Sequence, residues 1–237
     1  MPRRVAILQS NYIPWKGYFD LMNLVDEFII YDQVQFTKND WRNRNRIMTP
    51  SGPAWLTIPV SHSFGQSIEE TRISDGRWAD KHWKTFQTYY AKAPFFPSLA
   101  PLLMETFAAC REEVLLSAIN LRFIRLVAEL LGIGARIVSS REYELAGDRC
   151  ERLTSLCRQA GATEYLSGPA ARDYLDEELF AESGIAVRWM DYSGYPEYPQ
   201  LHAPPFVHEV SVLDLLFNVG PGDAPSFMRS FGKEARR

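Results

Sequence analysis

Short apolar runs alternate with stretches of helical spacing along this chain, and that alternation limits its fold more than any other feature. Residues 4–9, 27–31, 136–139, 163–167 and 185–190 each read as a strand, too brief for a helix. Between them, Phe19, Leu21, Met22, Leu24 and Val25 recur at helical spacing, as do residues 78–92, 98–109, 112–131 and 148–159. Strands separated by helices favour a mainly parallel sheet with helices on both faces. The expected class is α/β, Rossmann-like, as one domain over residues 1–237, since no linker is rich enough in Gly or Ser to divide it.

One excursion interrupts the pattern. Thr49-Pro50-Ser51-Gly52-Pro53 is a turn between two extended runs, which predicts a hairpin insertion over about 42–60, with Pro59 at an edge or a strand end. Residues 67–74 are a further short strand candidate. Gly132 and Gly134 close one helix, and Asp148 and Gly161 bracket another. Short helices are expected at 170–175 and 176–182, a long aromatic and proline-rich loop at 192–205, and a last helix at 210–218.

With 237 residues, 46% of them hydrophobic, the chain can bury a sizeable core. A net charge of −3 exerts no general pull on nucleic acid or an anionic membrane. No apolar run approaches the roughly 20 residues of a membrane span. Met1-Pro2-Arg3-Arg4 leads straight into a strand, so no signal peptide is expected. Cys110, Cys150 and Cys157 are odd in number and lack ligand spacing, which suits free thiols in a cytoplasmic protein. Neither a metal nor another cofactor is expected.

Chemistry should gather where strands end. In open α/β sheets ligands sit at carboxyl ends of strands, near helix N-termini. The first such junction carries Gln9, Asn11, Trp15, Gly17 and Tyr18. The second strand delivers Asp32 and Gln35, suited to sugar hydroxyls. Beyond it, Lys38, Arg42, Arg44 and Arg46 form a basic stretch. On an extended strand Arg42, Arg44 and Arg46 would share one face, fitted to a phosphate, and Asn43 would point the other way to orient a hydroxyl. A solvated, charge-protected edge strand explains the same residues equally well. Lys81 and His82 stand in a helical segment, where His82 could act as general base; a solvated helix face explains the lysines. Ser167-Gly168-Pro169 leads into a helix N-terminus with Arg172 and Tyr174, a candidate anion cradle, or simply a structural helix capped by Ser167. The expected catalytic group is His82, Asn11 and Tyr18. Cys150, Cys157, His202, His208 and Asn218 are weaker candidates.

The segments LQSNYIPWKGYF (8–19), VDEFIIYDQVQFTKNDWRNRNRI (25–47), WLTIPV (55–60), KHWKTFQTYYAKAPFF (81–96), RLTSLCRQAGATEYLSGPAARDYLD (152–176) and VSVLDLLFNVG (210–220) resemble the WbqC-like family, whose members are encoded among surface-polysaccharide (O-antigen) biosynthesis genes. Ser10 departs from it, standing where proline is expected. The first loop is also similar in placement to that of nucleotidylyltransferases, where His-x-x-His or His-x-Gly-His binds phosphate. Trp15 and Tyr18 stand there instead and supply no imidazolium.

The resemblance implies a step in building a surface-glycan sugar, and the residues imply a phosphorylated, hydroxyl-rich ligand. Together they lead to an expected acyl or aminoacyl transfer onto the amino group of a nucleotide-linked sugar. The donor would be a thioester on a carrier protein or coenzyme A. The alternatives are a non-catalytic nucleotide-sugar binder and a diverged nucleotidylyltransferase.

Overall fold

The structure is a computed structural model that describes residues 2–232. In chain order the elements begin β1 (Arg4–Leu8), α1 (Lys16–Asn23) and β2 (Glu27–Ile30), followed by β3 (Arg44–Thr49), β4 (Gly52–Thr57), β5 (Val60–Ser61) and β6 (Arg72–Ile73). Three helices come next, α2 (Trp78–Tyr90), α3 (Phe96–Ala109) and α4 (Leu116–Leu130). The chain then runs through β7 (Arg136–Ser139), α5 (Arg149–Gln159), β8 (Glu164–Ser167), α6 (Glu177–Glu182), β9 (Ala186–Trp189) and α7 (Val212–Asp223).

Five strands form the central sheet in the order β7-β2-β1-β8-β9, and every pairing is parallel. Strand order reverses between β1 and β8. That is the Rossmann-like switch point, where a crevice opens at the strands' carboxyl ends. Side chains alternate between the two faces. Ala6, Phe28, Ile30 and Leu166 face a large core built with α1, α2, α3, α4 and α7. Val5, Ile7, Ile29, Val138 and Tyr165 face a smaller core closed by Leu153, Leu156 and Cys157 of α5 and Phe180 of α6. Burial on both faces explains why these strands read as unbroken apolar runs.

The hairpin forms as expected. β3 and β4 pair antiparallel from Arg44↔Thr57 to Thr49↔Gly52. Gly52 takes φ 96°, a left-handed conformation that favours glycine at the turn. Pro59 falls between β4 and β5, outside both ladders. Of the run 67–74, only β6 is a strand, while Ser67 makes an isolated bridge to Gln35.

Two helix boundaries move. The segment before α4 stays extended, because Leu115 bridges Arg72 and the Glu113 carboxylate accepts the amides of Val114 and Leu115. At its far end α7 is kinked at Gly220, whose Cβ position would lie 2.6 Å from the Phe95 ring. Among the described residues no helix is long and apolar enough to cross a membrane.

Candidate functional site

A cavity of about 700 Å³ opens at the switch point. Gln9 from the end of β1, Gln35, Asp40 and Arg42 from beyond β2, and Ser167 and Gly168 from the end of β8 all line it. Polar segments distant in the chain therefore converge at one rim of the sheet, as the strand-end positions imply.

Arg42 is the pivot of this wall. Its guanidinium donates to Gln9 Oε1 at 3.2 Å and to Asn11 Oδ1, and it lies 3.8 Å from the Asp40 carboxylate. The main chain beneath it is also held. Asn120 Nδ2 donates to the Arg42 carbonyl (2.8 Å) and to Ser10 Oγ (3.1 Å). Asp32 Oδ1 accepts the Ser10 amide at 2.8 Å. Burial pushes the Asp32 carboxyl above the usual range, and its Oδ2 is buried without a protein partner among the described residues. Asp32 thus fixes the β1 loop from below and does not line the cavity. Tyr18 acts similarly: it is buried, donates to the Gln9 carbonyl at 3.1 Å, and its hydroxyl pKa is raised by burial. The expected catalytic role for Tyr18 gives way to a positioning one.

The opposite wall brings Asp148, Arg149 and Arg152 at the start of α5, and Tyr174. The two arginines were missing from the residues singled out by sequence. A signal existed, because basic residues in a helix's first turn oppose the macrodipole, and a broken local rule points to function. Arg149 stacks 3.3 Å from the Tyr174 ring centroid, and Arg152 Nε donates to the Gly147 carbonyl at 2.9 Å. Asp148 and Glu151 form a reciprocal capping box.

The cradle expected after Gly168 differs. Residues 169–173 make one short 3-10 turn with Gly168 at its start and no side-chain cap, so Ser167 is not a cap and no α-helix begins directly after this strand end. Arg172 turns away, 5.2 Å from the Trp189 ring, and is exposed.

The basic stretch also splits. Arg44 and Arg46 share a face, but Arg42 precedes β3 and turns the other way. Arg44 stacks 4.1 Å over Trp55; Arg46 lies 5.6 Å from Trp55 and 5.8 Å from Trp41. Both guanidiniums therefore pack on aromatic rings, Trp55 being shared between them. Asn43 is buried and donates to the Ile58 carbonyl at 2.9 Å, which ties the hairpin, and it lines neither pocket. Lys38 and Lys81 are exposed and outside the cavity; Lys81 lies 3.8 Å from Asp75.

The correction with most consequence concerns His82. It is buried among Tyr12 and Trp78, and its Nδ1 shares a 2.8 Å hydrogen bond with the Tyr12 hydroxyl. Burial pushes its pKa down to about 4, so it is neutral, and it lines no cavity described here. A general base needs reach to the proton it removes, and this imidazole has none.

A second, smaller pocket of about 160 Å³ lies on the far side of Arg42, lined by Asn11, Pro14, Trp15, Trp41, Asn45 and Glu209. The Trp15 indole folds back over Gly17 and rests on Tyr192 and Tyr195, with ring centroids 5.3 and 5.7 Å away. Those tyrosines belong to the segment 192–210, which is pinned from within. Lys16 Nζ donates to the Pro196 carbonyl at 3.1 Å and sits 4.9 Å from the Tyr195 ring, its pKa lowered by burial to about 8. Asp214 accepts the hydroxyls of Tyr90 and Tyr198, both at 2.6 Å, and Gln200 Nε2 at 2.8 Å.

Comparison with known proteins agrees with the segments that first suggested a resemblance. The Mycobacterium tuberculosis (strain ATCC 25618 / H37Rv) protein called Uncharacterized protein Rv1507c is 49% identical over 229 residues, covering 96% of this chain and 98% of that protein. A model of the WbqC-like protein family matches residues 9–225, a span that takes in the smaller pocket, the lining of the larger cavity apart from Ile7 and Leu8, and every strand of the sheet except β1. The chain belongs to the WbqC-like protein family.

Proposed function

We propose that the chain is a transferase of surface-glycan biosynthesis, which holds the nucleotide of a nucleotide-linked amino sugar in the larger cavity and moves an acyl or aminoacyl group onto the sugar's amine. The observation that carries this reading is the wall of that cavity. Three guanidiniums, of Arg42, Arg149 and Arg152, meet two side-chain amides, of Gln9 and Gln35, at the switch point of a Rossmann-like sheet. Guanidiniums suit phosphate oxygens, and amides suit hydroxyls. The volume of about 700 Å³ falls in the ordinary range for small-molecule sites. The acyl part rests on the family's association with glycan genes and not on a residue here.

In the transfer, the sugar amine attacks the thioester carbonyl. A C–N bond forms, the C–S bond breaks, the thiolate leaves and the ammonium proton is released. With His82 withdrawn from the site, the protein's contribution is to orient an amine that arrives unprotonated. The rate should then rise with pH as the substrate's own amine loses its proton.

The absence of histidine from the cavity wall favours a second reading, a nucleotide-sugar binder without turnover. Incubation with a nucleotide-linked amino sugar and an acyl thioester separates the two. A mass increase on the sugar supports transfer, and binding without that increase supports the binder.

A further inference from the structure

We propose that the pocket between Trp15 and Trp41 is a pyranose subsite, which takes one sugar ring in the plane between its aromatic walls. Its volume of about 160 Å³ is much smaller than the 700 Å³ of the other cavity and on the scale of a single ring.

The polar groups left free in it fit a sugar's edge. Asn45 is fully engaged: its Nδ2 donates to the carbonyls of Tyr12 (3.0 Å) and Ile13 (2.7 Å), and its Oδ1 accepts the Arg46 amide. Asn11 gives its Oδ1 to Arg42, while its Nδ2 has no protein partner among the described residues. Glu209 offers a carboxylate at the rim. An aromatic face, one amide donor and one carboxylate acceptor match a ring with apolar C–H faces and a hydroxyl edge. A cationic occupant is less well served, because Glu209 lies 3.7 Å from Arg46 and its side chain is 64% exposed, so its charge is balanced and screened.

The walls are built in advance. Gly17 leaves room for the Trp15 indole, which Tyr192 and Tyr195 back. Trp41 leans on Trp55, 5.2 Å between centroids, and the two rings stay 39% and 45% exposed. Neighbouring aromatic rings left open to solvent suit an interaction site. Arg42 stands between this pocket and the larger cavity, touching Asn11 on one side and Gln9 on the other. A phosphate at Arg42 would therefore place the nucleotide in one pocket and its sugar ring in the other; only this linkage rests on the function proposed above.

The test uses the full chain and free methyl glucopyranoside, glucosamine and N-acetylglucosamine, with binding read by tryptophan fluorescence and saturation-transfer NMR. At least one pyranoside should bind the parent saturably. Trp41→Ala should weaken it by about tenfold or more, equivalent to about 1.4 kcal/mol, and Trp41→Phe by less. Uridine and adenosine diphosphates, as probes of the larger cavity, should bind Trp41→Ala as they bind the parent. Circular dichroism and the melting temperature verify that each variant is folded. The subsite is overturned if no pyranoside binds the parent, if Trp41→Ala and Trp15→Phe bind pyranosides unchanged, or if an alkylammonium ion binds in a manner lost in Glu209→Gln while neutral sugars do not bind. Pyranoside binding without any nucleotide binding upholds the subsite and sinks only the nucleotide reading.

Discussion

The Trp15 indole lies over the bare Cα of Gly17, so closely that a Cβ there would stand 2.3 Å from the ring. Neither residue reads as a pair in sequence, yet one is the space the other needs. In Gly17→Ala the indole must leave its place against Tyr192 and Tyr195. A stability loss of about 1–3 kcal/mol follows from overpacking, with a shift in tryptophan emission as Trp15 becomes solvated. Denaturant unfolding and fluorescence spectra measure both effects.

Arg42→Lys tests the pivot. A lysine keeps the charge but cannot hold Gln9 and Asn11 together, since its ammonium is a point charge on a flexible stem. Nucleoside diphosphate affinity should fall by about tenfold, near 1.4 kcal/mol, with little change in melting temperature. Isothermal titration of parent and variant provides the comparison.

His82→Asn should leave ligand binding and any transfer activity intact, because the residue touches neither pocket. Its effect belongs to stability against pH. The folded pKa, about 4, lies below the ordinary 6.5. Between those values the unfolded chain takes up a proton that the folded chain does not. Stability therefore falls as pH drops through that window, by up to about 1.4 kcal/mol per unit, and is unaffected above it. Asp32 and Asp214, with carboxyls raised by burial, act with the opposite sign, gaining stability as pH falls. The difference between parent and variant isolates the histidine: the variant should lose less stability between pH 6.5 and 4. Urea midpoints across that range give the result.

Asp214→Asn should lower stability by about 1–3 kcal/mol. The carboxylate accepts from Tyr90, Tyr198 and Gln200, and an amide presents one accepting oxygen in place of two. Since this cluster pins the segment that backs Trp15, pyranoside affinity should weaken as well. Thermal melts with and without a bound pyranoside report both.

Much of this fold is legible from local pattern. The inner strands β1, β2 and β8 show as apolar runs because both of their faces are buried, while the edge strands β7 and β9 are more exposed. The β3–β4 hairpin shows in Pro50-Ser51-Gly52, because the turn needs a left-handed residue. Gln9, Gln35, Arg42, Ser167, Gly168 and Tyr174 could be placed at one rim because strand ends in such sheets share an edge. What stayed hidden depends on contacts between distant segments. Glu209 and the tyrosines behind Trp15 arrive from nearly two hundred residues away. His82 was misread because a histidine flanked by bases, able to titrate near neutrality, suited a general base. Trp78, His82, Phe86 and Tyr90, each four residues apart, were the better guide, as they share the buried side of α2.

The capping box at the start of α5 has a consequence for how this site can change. Asp148 and Glu151 satisfy backbone donors that in many nucleotide-binding folds face the phosphate directly. In the proposed site, anion contact would fall to arginine side chains, which are exchangeable one codon at a time. Main-chain recognition is tied to the fold itself, whereas recognition by side chains would let ligand preference change while the scaffold stays the same.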